Sequence, residues 1–194
     1  MTMNTATSKP VDRATAEYGD VAGPGIVRFE RLLPGPIERI WAYLTESDKR
    51  GKWFASGQME PRVGGRVHLT FHNSKLSPHT EEIPEKYKKY EGAGFTGRIT
   101  RYEEPRVLSY TWGGESGEED SEVSFELTPQ DGQVLLVLTH RRLADRKAML
   151  SVSGGWHIHL DVLRDNLEGR KPRPFWSTFA GLEAEYEQRI EGGR

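Results

Sequence analysis

The stretch Gly154–Gly169 reads Gly-Gly-Trp-His-Ile-His-Leu-Asp-Val-Leu-Arg-Asp-Asn-Leu-Glu-Gly. At about 100° per residue, Trp156, Leu160, Leu163 and Leu167 fall in a helical stripe roughly 60° wide. Such a stripe has to lie against something apolar. The chain before it reads as strands with one pair of short helices, so the expected partner is a sheet. Ile158 and Val162 lie on the far side of the same helix. Solvent is a poor neighbour for both, so a second cover is expected: a helix over residues 175–190, or a second subunit.

The strands are read from alternation. Ile26 to Leu33 sets Val27, Phe29 and Leu33 against Arg28 and Glu30, a half-buried strand. Pro34-Gly35-Pro36 breaks it, and Pro36 suits the first position of a helix. Ile37, Ile40, Trp41 and Leu44 follow at helical spacing. Thr45-Glu46-Ser47 ends that helix and caps a second short one that closes on Trp53-Phe54. An edge segment is expected at 57–60 and a strand at 66–71, with Val67, Leu69 and Phe71 on one face. Four more strands are expected near 95–103, 106–113, 120–128 and 133–141. They are separated by Glu104-Pro105, an acidic Gly-rich loop, and Pro129-Gln130-Asp131-Gly132, which are short links typical of antiparallel hairpins. Their inward positions are Phe95, Gly97 and Ile99, then Leu108, Tyr110 and Trp112, then Val123, Phe125 and Leu127, then Leu136, Leu138 and His140. A face that rich in large side chains implies a sheet curved around something.

Three segments fall outside this pattern. Residues 1–25 are polar and end in Ala-Gly-Pro-Gly, which suggests a flexible arm. Residues 72–94 are long for a strand connection; they read either as a solvated insertion holding a short helix or as a lid over a cavity. After Gly169, a plausible helix terminator, comes the linker Arg-Lys-Pro-Arg-Pro. Phe175, Phe179, Leu182 and Tyr186 then mark an amphipathic C-terminal helix. The domain proper is expected to span 26–169, with 170–194 as linker and extra helix. Residues 144–152 read as a helical turn or two before the long helix.

Composition excludes several functions. With 27 basic against 29 acidic residues, the net charge of −2 gives no reason to expect nucleic acid or an anionic membrane. The chain has no cysteine, so disulfides, thiolate metal sites and cysteine nucleophiles are ruled out. No apolar run approaches the roughly 20 residues of a membrane span, and residues 1–25 lack the apolar core of a secretory signal. The expectation is a soluble cytoplasmic protein.

The order of elements, with Arg31, the run Pro36-Ile37-Glu38-Arg39-Ile40-Trp41, Leu44-Thr45 before Trp53-Phe54, Val63-Gly64-Gly65, Gly97 with Ile99, Leu108-Ser109-Tyr110-Thr111-Trp112, Leu136 to His140, and Gly155-Trp156 with Leu160 and Leu163, resembles the helix-grip fold of the START-like (SRPBCC) superfamily. Within it the chain is most similar to the family named for the activator of the ninety-kilodalton heat-shock chaperone's ATPase. The resemblance covers about residues 26–169. It implies an α+β fold: a curved antiparallel sheet wrapped around a long C-terminal helix, two short helices after the first strand, and an apolar cavity between helix and sheet. The superfamily's tasks are diverse, so it implies no single activity.

The expected cavity lining is Phe71, Phe95, Tyr110, Trp112, Phe125, Leu138, Trp156, Leu160 and Leu163, with Trp53 and Phe54 near its mouth. The ligand expected is a small apolar or amphipathic, lipid-like molecule. His140 and His159, with Tyr110 and Asn166, form a candidate polar cluster inside, in which a neutral histidine is a potential general base of a cyclase- or dehydratase-type enzyme. Structural histidines are the plainer reading. No carboxylate falls on the inward alternation. His157 and His159 lie about 200° apart on a helix and cannot chelate together; no metal and no cofactor are expected. The acidic loop Glu115–Glu122 reads as a solvated hairpin tip or a site for a basic partner. A chaperone-stimulating interaction module, and a homodimer, remain open as partner readings.

Overall fold

The computed structural model describes residues 18–113 and 120–190. It is an α+β fold in which eight antiparallel strands form one curved sheet of order β1-β2-β8-β7-β6-β5-β4-β3. The strands are β1 (Asp20–Gly23), β2 (Ile26–Pro34), β3 (Ala55–Ser56), β4 (Arg66–Phe71), β5 (Gly94–Glu103), β6 (Val107–Trp112), β7 (Ser121–Gln130) and β8 (Gln133–Arg141). The helices are α1 (Ile37–Thr45), α2 (Ser47–Arg50), α3 (Glu85–Lys88), α4 (Arg146–Leu167) and α5 (Phe175–Arg189). Alternation correctly assigns the inward residues of β2, β7 and β8, since one face meets the core and the other meets water.

Two boundaries move. The N-terminal arm ends before Gly25, because Asp20–Gly23 pairs with β2 and extends the sheet by an edge strand; residues 1–17 lie outside the described residues. The edge segment expected at 57–60 is β3 at Ala55–Ser56, and Met59 makes only an isolated bridge to Val67.

The sheet bends at β5. Its first half pairs with β4, from Gly94 to Arg98, and its second half pairs with β6, with a register slip between Ile99 and Arg101. Gly97 sits at the bend, where a Cβ would lie 2.4 Å from the Thr111 carbonyl oxygen. Only glycine lets the two backbones approach so closely.

Helix α4 is one helix of 22 residues, not a short helix with a preceding turn. The Asp145 carboxylate caps it by accepting from the Ala148 N–H at 2.7 Å. Its C-terminus closes as a Schellman motif: Gly169 is left-handed at φ 69°, and Arg170 N–H donates to the Asp165 carbonyl at 2.8 Å. The Trp156, Leu160, Leu163 and Leu167 stripe packs in the sheet's concavity, with Trp156 edge-on to Phe125 at 5.7 Å. Ile158 and Val162 are also buried within this single chain. Helix α5 packs along the outer side of α4, where a Cβ at Gly154 would touch the Phe179 ring at 3.1 Å. Burial of that far face therefore requires no second subunit.

Gly97→Ala is expected to destabilise the fold by about 1–3 kcal/mol, because the bend cannot widen without breaking pairing on one side. Urea unfolding should show a lower midpoint with an unchanged slope.

Candidate functional site

The site is assembled around Phe54. Arg50 closes α2, and its guanidinium, 1% exposed, donates to the carbonyls of Thr45 at 2.8 Å, Ala55 at 3.0 Å and Gly57 at 2.5 Å. A buried cation held by carbonyls fixes the α2–β3 corner. From that corner Phe54 stacks between Trp53 at 5.2 Å and Trp156 at 4.9 Å. Trp53 is itself held by its indole N–H to the Tyr43 carbonyl at 2.8 Å.

Beside Phe54 opens a cavity of about 700 Å³. Phe71 and Trp112 close it from the sheet, and Gly155, Trp156 and His159 from α4. Phe175, Trp176 and Phe179 of α5 form the opposite wall, and Tyr87 and Tyr90 of the 72–94 insertion close it above. The insertion is fastened to α5. Tyr87 stacks on Trp176 at 5.5 Å, and its hydroxyl donates to Glu183, which also pairs with Lys86 at 2.8 Å. Glu81 caps the start of α5, accepting from Trp176 N–H at 2.9 Å and Ser177 N–H at 3.0 Å. Burial pushes the Tyr87 hydroxyl up to about 12, so it stays a donor at neutral pH.

The cavity lies at one end of the space expected between sheet and helix, displaced towards α5 and the insertion. Of the expected lining, Phe54, Phe71, Trp112, Trp156 and His159 border the open volume. Tyr110, Phe125, Leu138, His140, Leu160 and Leu163 are packed solid behind it, because large side chains from both sides interdigitate there. Trp53 supports Phe54 from behind, and Phe95 packs on Trp112 at 4.6 Å; neither borders the volume. The insertion and α5 supply the walls that alternation could not find. A readable signal was Gly155: a Cβ there would meet nothing within 4 Å, so this mid-helix glycine leaves space.

The four polar groups expected to cluster do not. Asn166 donates to the Lys52 and Val162 carbonyls at 3.1 and 2.8 Å. Tyr110 is buried among apolar neighbours, which raises its pKa. His140 accepts at Nδ1 from the Trp156 indole N–H at 3.0 Å. An indole only donates, so the His140 proton is on Nε2, facing the Ser121 hydroxyl at 3.0 Å. Ser121 in turn donates to the Trp112 carbonyl. Both ring nitrogens are therefore engaged, and burial lowers the His140 pKa to about 3. His159 has the opposite tautomer: its Nδ1 lies 2.8 Å from the Trp53 carbonyl, which only accepts. Burial lowers its pKa to about 4.

His157 and His159 point to different elements. His157 meets the Tyr186 hydroxyl of α5 at 3.0 Å, and its Nε2 lies 3.6 Å from Asp161. Alternation also missed the buried Asp161, since it lies on the α5 side of the helix. Arg31, Arg164 and Arg173 surround it at 3.8, 3.5 and 3.5 Å. Of the acidic loop, 114–119 lie outside the described residues; Glu122 is buried and paired with Arg141 and Arg142, so it offers nothing to a basic partner. Among the described residues, no helix is long and apolar enough to cross a membrane.

A curved antiparallel sheet gripping a long C-terminal helix defines a helix-grip protein of the START-like superfamily. The chain belongs to the Activator of Hsp90 ATPase homolog 1-like protein family, whose model matches residues 34–168. It is similar to the solution structure of the protein encoded by gene BPP1335 from Bordetella parapertussis, at 49% identity over 89% of this chain and 90% of that one, TM-score 0.75. It shares its fold with CalU16 from Micromonospora echinospora, at 21% identity over 84% of each chain, TM-score 0.61. It also shares it with the Aha1 dimer from Colwellia psychrerythraea, at 20% identity over 74% of this chain and 96% of that one, TM-score 0.56. No curated protein matches the chain.

The two depressed histidines set an acid limit. Unfolded histidine takes a proton near pH 6.5, whereas the folded His140 and His159 stay neutral down to about 3 and about 4. Stability is thus full above pH 6.5 and falls as pH drops through that value. Between pH 7.5 and 5.5 the loss should be roughly 1–1.5 kcal/mol per histidine. His140→Gln is expected to be less stable at pH 7.5 but to lose less on acidification, as read by urea titration at the two pH values.

Proposed function

We propose that this chain is a cytoplasmic binding protein for a small apolar or amphipathic molecule, held in the cavity between α4, α5 and the 72–94 insertion. The observation that carries the reading is Gly155. A glycine in mid-helix costs about 0.5–1 kcal/mol relative to alanine, and here it faces open volume beside aromatic rings instead of a packing partner. A site with aromatic walls, charged groups at its edge and a fastened insertion above it has the composition of a small-molecule pocket. The cavity is built by one chain, so binding does not depend on a homodimer.

Catalysis through His140 has little support, since both of its nitrogens are bonded inside the core. A chaperone-stimulating role rests on the family's name, and it needs no cavity.

Gly155→Phe should fill the cavity without a clash. Wild type is expected to enhance the fluorescence of the neutral probe N-phenyl-1-naphthylamine, and Gly155→Phe to weaken that binding at least tenfold. Gly155→Ala should keep binding and melt at a higher temperature. Equal probe affinity in wild type and Gly155→Phe would refute the site. Stimulation of a chaperone ATPase that is indifferent to Gly155→Phe would favour the interaction module instead.

A further inference from the structure

The cavity's polar groups are not alike in depth. Lys86, Lys147, Glu91, Glu183 and Glu187 border it on the insertion and on the outer helix turns. His159 belongs to its wall yet is only 6% exposed, with its ring edge-on to Phe54 at 5.1 Å and tilted on Phe175 at 5.4 Å. Its Nδ1–H is spent on the Trp53 carbonyl. The remaining nitrogen, Nε2, therefore carries a lone pair. Among the described residues nothing donates to it, and it is not among the buried atoms sealed off without a partner.

We propose that His159 Nε2 is the hydrogen-bond acceptor that orients the bound molecule, so that the preferred ligand is a neutral, apolar body carrying one hydroxyl, a phenol or an alcohol. The inference rests on the small-molecule reading above. A hydroxyl donates to a fixed lone pair with no charge to desolvate. A carboxylate offers only acceptors to that lone pair and must also pass three glutamates set against two lysines. An ether or hydrocarbon of the same size leaves Nε2 without a partner, and that omission is what a polar site discriminates against. Burial keeps the imidazole neutral, so the preference should be insensitive to pH between about 6 and 8, below the ionisation of a phenol.

The test uses three probes of matched size with the full chain: 2-naphthol, 2-methoxynaphthalene and 2-naphthoate, titrated against intrinsic tryptophan fluorescence. Wild type is expected to bind 2-naphthol at least tenfold more tightly than either of the others. His159→Phe should bring the naphthol-to-methoxynaphthalene ratio near one while leaving the methoxynaphthalene affinity within about twofold. Because His159→Phe also removes the bond to Trp53, the wild-type imidazole nitrogen-15 spectrum provides a second readout: the His159 Nε2 resonance should shift on adding 2-naphthol and not on adding 2-methoxynaphthalene. Equal affinities in wild type, a ratio retained in His159→Phe, or an unmoved Nε2 resonance would overturn the assignment. If none of the three binds while N-phenyl-1-naphthylamine does, the acceptor role fails and the cavity reading stands. If that probe does not bind either, the cavity reading itself is wrong.

Discussion

Much of this fold answers to one demand: from Trp156 to Leu163, α4 is buried around its whole circumference. From Trp156 to Leu163 no residue is exposed, yet the run contains two histidines and an aspartate. A helix enclosed on all sides is ordinarily apolar all round; one with polar residues folds only if each polar group finds a partner inside. The partners come from different elements. Trp156 needs His140 of β8, His159 needs the carbonyl of Trp53 after α2, and His157 needs Tyr186 of α5. Asp161 draws on Arg31 of β2 and Arg173 of the linker. Helix α5 is thus part of the core. Without it His157 loses the Tyr186 hydroxyl as a hydrogen-bond partner.

That arrangement also determines where space can be left. The sheet's concave face and the inward stripe of α4 carry large rings and leucines that fill each other's gaps, so the middle of the grip is closed. Room survives where the packing changes partner, at the N-terminal half of α4. There the helix passes from the sheet to α5, and two adjacent glycines behave differently. Gly154 allows close contact with Phe179, whereas Gly155 has no neighbour. The insertion borders the gap from above because Tyr87 and Glu81 both engage α5, which ties insertion and wall together.

How much of this was legible in the sequence follows from the range of the interactions. Strand alternation and the Trp156 stripe depend on a local period and a single apolar side, and both are visible in a window of ten residues. The far face formed by Ile158 and Val162 was visible as a misfit, and a helix over 175–190 or a second subunit could be named as its cover. The start of α4 at Asp145 was obscured because Ser151-Val152-Ser153-Gly154-Gly155 has poor helix propensity, which contacts with α5 override. The insertion has no period at all. Its Tyr87 meets a tryptophan nearly half the chain away, and nothing in the neighbouring residues announces that. Arg50 and Asp161 were missed for the same reason: charges placed in the core by their partners leave no mark on a hydrophobic pattern.

The histidines show why residue type alone could not assign the site. His140 and His159 are both buried, both kept neutral by desolvation, and both bonded through Nδ1. Their availability is nevertheless opposite. An indole can only donate, so Trp156 occupies the lone pair of His140 and directs its proton to Ser121. A carbonyl can only accept, so Trp53 takes the proton of His159 and leaves a lone pair on the far nitrogen. The first histidine is finished as structure, and the second still has an acceptor to offer. Because His159 borders the same cavity into which Gly155 leaves room, the contacts that hold α4 in place also decide which polar group a guest would meet.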